Sequence, residues 1–120
     1  MSKKTVVIGA STNPERYGYK ATVALQKHNH LVVPVGIRAG EINGEQILLG
    51  KPEITDVDTV TLYVGPQNQP EWMDYVVGLK PKRVIFNPGT ENPEFESLLQ
   101  KNNIEPIEAC TLVMLSIGNF

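Results

Sequence analysis

Five short stretches of the chain are dense in β-branched and other apolar residues: Thr5–Ile8, Leu31–Val35, Thr59–Val64, Arg83–Phe86 and Ile104–Ile107. The first four read as strands, and the near-continuous apolar character of several predicts burial on both faces. Between them, apolar residues recur at helical spacing. Tyr17, Ala21, Ala24, Leu25 and His28 fall at i, i+4, i+7, i+8 and i+11, and Trp72, Val76 and Leu79 at i, i+4 and i+7. Each set predicts a core-facing helix. A third helix opens on Asn92-Pro93, an N-cap followed by proline at the first helical position. It turns Phe95, Leu98 and Leu99 to the core before Asn102-Asn103 ends it. Pro70 and Pro81 bracket the Trp72 helix in the same way.

Strand alternating with helix means a parallel sheet covered on both sides, and right-handed crossovers favour a doubly wound arrangement. The expected α/β fold is one Rossmann-like domain over residues 1–120, with five strands in the order 3-2-1-4-5. Pro106 cannot donate to a ladder on both sides, which places the fifth strand at an edge. From Gly36 to Asp58 the alternation breaks: Gly36, Gly40, Gly44, Gly50 and Pro52 interrupt the segment and no apolar stripe runs through it. It reads as a long loop without a crossover helix, a length more often functional than incidental. The run Cys110–Phe120 is apolar nearly all round. It predicts a short helix that closes the core, an oligomer contact being the alternative.

Composition narrows the functional classes. At 120 residues the chain has the length of one domain, and its 11 Lys+Arg against 13 Asp+Glu give a net charge of −2. No global field then recruits nucleic acid or an anionic membrane, so any bound anion must be held locally. A single cysteine, Cys110, permits no internal disulfide, and the apolar stretch Val6–Ala10 is too short for a signal-peptide core. These features predict a reduced, soluble, cytoplasmic domain, with homo-oligomerisation left open.

In an open parallel sheet, ligands bind beyond the C-terminal ends of the strands, where the strand order reverses. With the order above, the first and fourth strands flank that point. The segment Gly9-Ala10-Ser11-Thr12-Asn13-Pro14-Glu15-Arg16-Tyr17-Gly18 runs from the first strand straight into a helix. Small residues let backbone N–H groups approach a phosphate, the helix dipole favours an anion, and Ser11, Thr12, Asn13 and Arg16 offer further donors. The competing reading is that Ser11 and Asn13 merely cap the helix. The segment is neither G-x-G-x-x-G nor a nucleoside-triphosphate P-loop, and it falls one glycine short of a nucleophile elbow.

At the end of the second strand, Gly36-Ile37-Arg38 stands where a binder of NAD places an acidic residue on the ribose hydroxyls. An arginine there suits a phosphorylated ribose, with the phosphate at 2′ as in NADP or at 3′ as in coenzyme A. Gly65-Pro66 after the third strand could wall an adenine or a pantetheine. Asn87-Pro88-Gly89-Thr90 after the fourth is expected beside the first loop, where Gly89 can take φ > 0 and Asn87 can donate, though an ordinary turn fits equally. His28 and His30 fall at the opposite end of the sheet. No spacing suggests a metal site, and no catalytic constellation is found, so catalysis is left undecided.

The segment Gly9–Tyr19, the segment Val33–Glu45, Asp58 and Cys110 together resemble the small stand-alone CoA-binding domain proteins. These are similar to the N-terminal domain of the succinyl-CoA synthetase alpha subunit. The resemblance covers essentially the whole chain. It implies a Rossmann-like fold that binds coenzyme A or an acyl-CoA, with Ser11–Arg16 on the pyrophosphate and Arg38 on the 3′-phosphate side. Gly9, Ala10, Tyr17, Gly36, Gly65, Pro66, Asn87 and Gly89 complete the expected site. Ligase activity is not implied, because the synthetase's phosphorylated histidine belongs to a further domain. A small NADP-dependent enzyme and a regulatory, partner-binding subunit are the alternatives.

Overall fold

The apolar runs pair into one parallel sheet, as burial on both faces requires. The computed structural model describes residues 2–120; Met1, the first residue of the expected domain, lies outside the described residues. In chain order the elements are β1 (Thr5–Ile8), α1 (Tyr17–Lys27), β2 (Val32–Gly36), β3 (Glu41–Ile42), β4 (Glu45–Gln46), β5 (Leu48–Leu49) and β6 (Thr59–Leu62). A short 3₁₀ turn (Pro66–Asn68), α2 (Pro70–Leu79), β7 (Arg83–Phe86), α3 (Pro93–Lys101), β8 (Glu105–Glu108) and α4 (Thr111–Ile117) complete it.

The sheet has six strands rather than five, in the spatial order β5-β2-β1-β6-β7-β8, and every pairing in it is parallel. Counted along the chain, its strands run 3-2-1-4-5-6, the expected order extended by one. The identity of the third strand differs. Leu48-Leu49, inside the segment read as loop, pairs with Val35-Gly36 and takes the edge, while Thr59–Leu62 lies directly against β1. Two residues are too short to display a period, so the pattern could not reveal this strand. The reversal of strand order therefore falls between β1 and β6, and the Asn87 loop stands one strand further out than expected. No crossover helix joins β2 to β6; the antiparallel pair β3–β4 stands in its place.

Alternate residues of β1 feed two cores. Val6 and Ile8 join Val60, Leu62, Val84 and Phe86 beneath Trp72, Val76, Phe95 and Leu99 of α2 and α3. Val7 joins Val32, Leu25, Ile42, Ile47 and Leu115 on the face covered by α1, α4 and the β3–β4 pair. Phe86 and Phe95 meet edge to face at 5.4 Å. The helices are thus divided between the two faces, as a doubly wound sheet requires.

The helix ends largely follow the sequence signals. Asn92 accepts a hydrogen bond from the Phe95 N–H at 3.3 Å with Pro93 in the first turn, and Lys80 takes φ 53° just before Pro81. Pro106 lies on β8, an edge strand bonded only to β7. The buried stripe of α1 is rotated from its expected position: Gly18, Ala21, Thr22 and Leu25 face the sheet, while Tyr17 is 61% exposed and His28 is exposed. Close packing of Gly18 sets that rotation, as the site geometry shows below. α4 closes the core with Thr111, Met114 and Leu115 and leaves Val113 and Ile117 exposed.

At the N-terminal end of the sheet, the Lys3 N–H donates to His30 Nδ1 at 3.0 Å, so the ring is held neutral on that nitrogen. The His30 ring packs on Phe120 at 4.9 Å, and the Arg83 guanidinium lies 4.5 Å from the Phe120 ring centre. Burial lowers the His30 pKa below 6.5, and the positive charges of Lys3, His28 and Arg83 act in the same direction. The fold therefore favours neutral imidazole. Its contribution to stability is complete above the unfolded value of 6.5 and is lost as pH falls through the lowered native value. Thermal unfolding of His30→Gln, which keeps an acceptor without titrating, is expected to depend less on pH than the unsubstituted chain between about pH 7 and 5. Parallel melting curves for the two would exclude this role.

Candidate functional site

The rim where strand order reverses is assembled from backbone contacts. β1 ends at Ile8, and Gly9 takes φ +100°. Its N–H and that of Ala10 both donate to Val35 O at 3.0 Å. These two donors, expected to approach a phosphate, are held instead by the neighbouring strand. A Cβ on Gly9 would stand 2.8 Å from Tyr63 O, and one on Gly18 would stand 2.2 Å from Gly9 O. The start of α1 is thereby pressed against the end of β1, which fixes where its N-terminus points.

The intervening loop braces itself. Ser11 Oγ accepts from the Asn13 N–H, Asn13 Oδ1 accepts from the Glu15 N–H, and the Arg16 N–H donates to Asn13 O, each at 3.0 Å. Ser11 and Asn13 therefore shape the loop and do not cap α1, whose N-cap residue is Arg16 and which receives no side-chain cap. The N–H groups of Tyr17, Gly18 and Tyr19 have no acceptor among the described residues, and the first turn carries no acidic side chain. α3 is the contrast, with its N-terminus closed by Asn92 and its first turn carrying Glu94 and Glu96. An open helix terminus whose first turn carries no carboxylate is suited to an anion.

The loop after β2 is pinned to this one at two points. A Cβ on Gly36 would stand 2.4 Å from Ala10 O, and one on Gly40 would stand 2.3 Å from Thr12 Cγ2. Between the pins, Ile37 is 87% exposed and Arg38 is exposed. Arg16 and Arg38 form no ion pair among the described residues, where the one such pair joins Lys82 to Asp58 at 3.7 Å. The structure thus places Arg16, Arg38 and the open end of α1 on two interlocked loops.

On the other side of β1 lies the loop after β6, not the loop after β7. Tyr63 donates its N–H to Ile8 O at 2.8 Å, and burial pushes its phenol up to about 12. Its hydroxyl is buried with no partner in bonding geometry among the described residues. Gly65 and Pro66 follow at the rim, leading into the 3₁₀ turn. Asn87, expected as a donor to a ligand, is 1% exposed and turned inward. Its Nδ2 donates to Thr61 Oγ1 at 2.6 Å and Leu62 O at 2.9 Å, and its Oδ1 accepts from the Thr111 N–H at 2.9 Å. Gly89 does adopt positive φ, +93°, with its N–H donated to Glu91 Oε1. Sequence reasoning missed Tyr63 and Gln69, both of which organise this rim. Neither belongs to a motif, and only their position just after a central strand could have marked them.

A cavity of about 650 Å³ lies elsewhere, between residues 51–57 and the C-terminal half of α2. Among the described residues no group of three His, Cys, Asp or Glu is placed to hold a metal, and no helix is long and apolar enough to cross a membrane.

Comparison with known proteins places this geometry among relatives. The family described as CoA binding domain matches residues 3–116. An uncharacterized protein of known crystal structure is 52% identical and superposes with a TM-score of 0.97, covering 100% of this chain and 99% of its own. A conserved hypothetical protein from Pyrococcus furiosus is 28% identical, with a TM-score of 0.81 over 92% of this chain and 97% of its own. A Thermus thermophilus protein at 24% identity and TM-score 0.84, covering 99% of this chain and 91% of its own, shares the fold. No curated protein matches the chain.

Because Gly18 can move away from Gly9 only by displacing α1, Gly18→Ala is expected to destabilise the fold by about 2 kcal/mol, within the range for overpacked interiors. Chemical denaturation measures this, and an unchanged midpoint would show that α1 can shift freely.

Proposed function

Because the chain belongs to the family of CoA-binding domains, we propose that it binds coenzyme A or an acyl-CoA across the rim between β1 and β6. The observation that carries this reading is the open N-terminus of α1 beside an unpaired Arg38. Coenzyme A presents two separated anionic groups, a pyrophosphate and a ribose 3′-phosphate. The free N–H groups of Tyr17, Gly18 and Tyr19, with Arg16 at the N-cap, suit the pyrophosphate. Arg38, on the adjoining loop, suits the 3′-phosphate through charge-assisted hydrogen bonds. No acidic side chain stands at the end of β2 to take a free ribose diol, which speaks against NAD.

The sheet order also supports a direction for the proposed ligand. Arg38 follows β2 on one side of β1, whereas Gly65 and Pro66 follow β6 on the other. A ligand anchored by phosphates at Arg38 and α1 therefore extends its remaining arm over Gly65-Pro66 and toward the turn at Gly89-Thr90. For coenzyme A that arm is the pantetheine. With a net charge of −2 on the whole chain, capture depends on these local donors and should weaken as salt screens them.

Titration calorimetry with coenzyme A, dephospho-coenzyme A, NADP and NAD tests the reading. Coenzyme A is expected to bind about tenfold tighter than its dephospho form, a difference of about 1.4 kcal/mol. Arg38→Ala should erase that difference, and Arg16→Ala should weaken both ligands. Equal affinities in the unsubstituted chain would remove the role given to Arg38. Preference for NADP would transfer the site to the other phosphorylated ribose, and absence of any binding would reject the reading.

A further inference from the structure

Gln69 is fully buried, and its side-chain amide joins three segments of the rim. Its Nε2 donates to Val64 O at 2.9 Å and to Thr90 O at 2.7 Å, while its Oε1 accepts from Asn92 Nδ2 at 2.8 Å. Both amide hydrogens are therefore satisfied, and the loop after β6 is tied to the loop after β7. The second loop is itself a closed turn, because the Thr90 N–H and Oγ1 both donate to Asn87 O, at 2.9 and 2.8 Å. Asn92 in turn caps α3 through the Phe95 N–H.

The peptide bond supplies the next step. In a planar trans peptide the C=O of one residue and the N–H of the next point in opposite directions. Val64 and Thr90 aim their carbonyls at Gln69, so the N–H groups of Gly65 and Glu91 point away from it. Neither N–H has an acceptor among the described residues. One buried amide thereby orients two free donors on the two loops that the pantetheine arm would cross. That arm contains two amide carbonyls, both acceptors.

We propose that Gln69 is a positioning residue that holds the Gly65 and Glu91 N–H groups toward the amide carbonyls of a pantetheine arm. The assignment rests on the coenzyme A reading and extends it from the phosphates to the other half of the ligand. Gln69 touches no ligand itself; it fixes two peptide planes and the separation between their loops. Free phosphate or an adenine nucleotide alone would gain nothing from it.

The test separates the two halves of the ligand. Gln69→Met keeps the length of the side chain without its hydrogen bonds. It is expected to lower coenzyme A affinity about tenfold, as loss of two aligned neutral hydrogen bonds would. Affinity for adenosine 3′,5′-bisphosphate, which lacks the arm, should stay unchanged. In amide NMR spectra of the unsubstituted chain, addition of 4′-phosphopantetheine should shift Gly65 and Glu91. A parallel loss of both ligands would mark Gln69 as merely structural and overturn the proposal, as would unmoved Gly65 and Glu91 signals. Should Gln69→Met fail to fold, Gln69→Glu gives the same information. Its carboxylate repels both carbonyls at pH 8 and regains one donor when protonated at pH 5, so its coenzyme A affinity relative to the unsubstituted chain should rise on acidification. A ratio independent of pH would overturn the proposal. If the unsubstituted chain binds adenosine 3′,5′-bisphosphate and coenzyme A, but Gln69→Met leaves both affinities intact, only the positioning role fails. If it binds no coenzyme A, the reading beneath it fails too.

Discussion

Gly18 leaves no room for a single methyl group above the Gly9 carbonyl, and the rest of the rim is arranged around that contact. It draws the first turn of α1 onto the end of the central strand. The rotation of α1 follows, with Ala21, Thr22 and Leu25 carried inward beside Gly18 and Tyr17 left outside. So does the direction of its N-terminus, because a helix end can present its N–H groups only along its own axis. Val35 O reinforces the arrangement by holding two successive N–H groups, those of Gly9 and Ala10. Those donors are fixed so that the ones at Tyr17 to Tyr19 can remain free.

The two ends of the same sheet use polar groups in opposite ways. At the rim, Ser11 and Asn13 accept from backbone N–H groups of their own loop, while the side chains of Asn87 and Gln69 are turned into the protein and satisfy backbone groups there. What they leave outward is backbone N–H and two unpaired arginines. Loops braced by their own hydrogen bonds would lose little freedom on binding, and such donors would then give more affinity than a mobile set. At the opposite end, His30, Lys3 and Arg83 surround the Phe120 ring and form part of the stabilising framework. The position of the histidines at the end away from the rim, anticipated from their place before β2, has this physical expression.

Much of the architecture was legible because it depends on local pattern. Thr5–Ile8 and Arg83–Phe86 could be recognised as buried strands, and Asn92-Pro93 as a helix start, since each is decided within a few residues. Arg16 and Arg38 could be assigned to loops at the same end of the sheet because both follow sheet strands there. The strand Leu48-Leu49 could not be seen, as two residues carry no period and their pairing with Val35-Gly36 is wholly non-local. Missing it misplaced Thr59–Leu62, and that moved Asn87 too close to the first loop. Asn87 then looked like a ligand donor, whereas the fold uses its amide to join β6, β7 and α4.

By itself, the sequence determined the longer strands and the helices, that the main sheet is parallel and covered on both faces, and which loops carry basic and small residues. Those properties come from hydrophobic periodicity, proline and caps, all of which act over a few residues. Only the tertiary structure decided which strand lies beside β1, which N–H groups remain free and which polar side chains are turned inward. A donor's partner is chosen by whatever the whole fold brings within about 3 Å, and no local pattern records that distance.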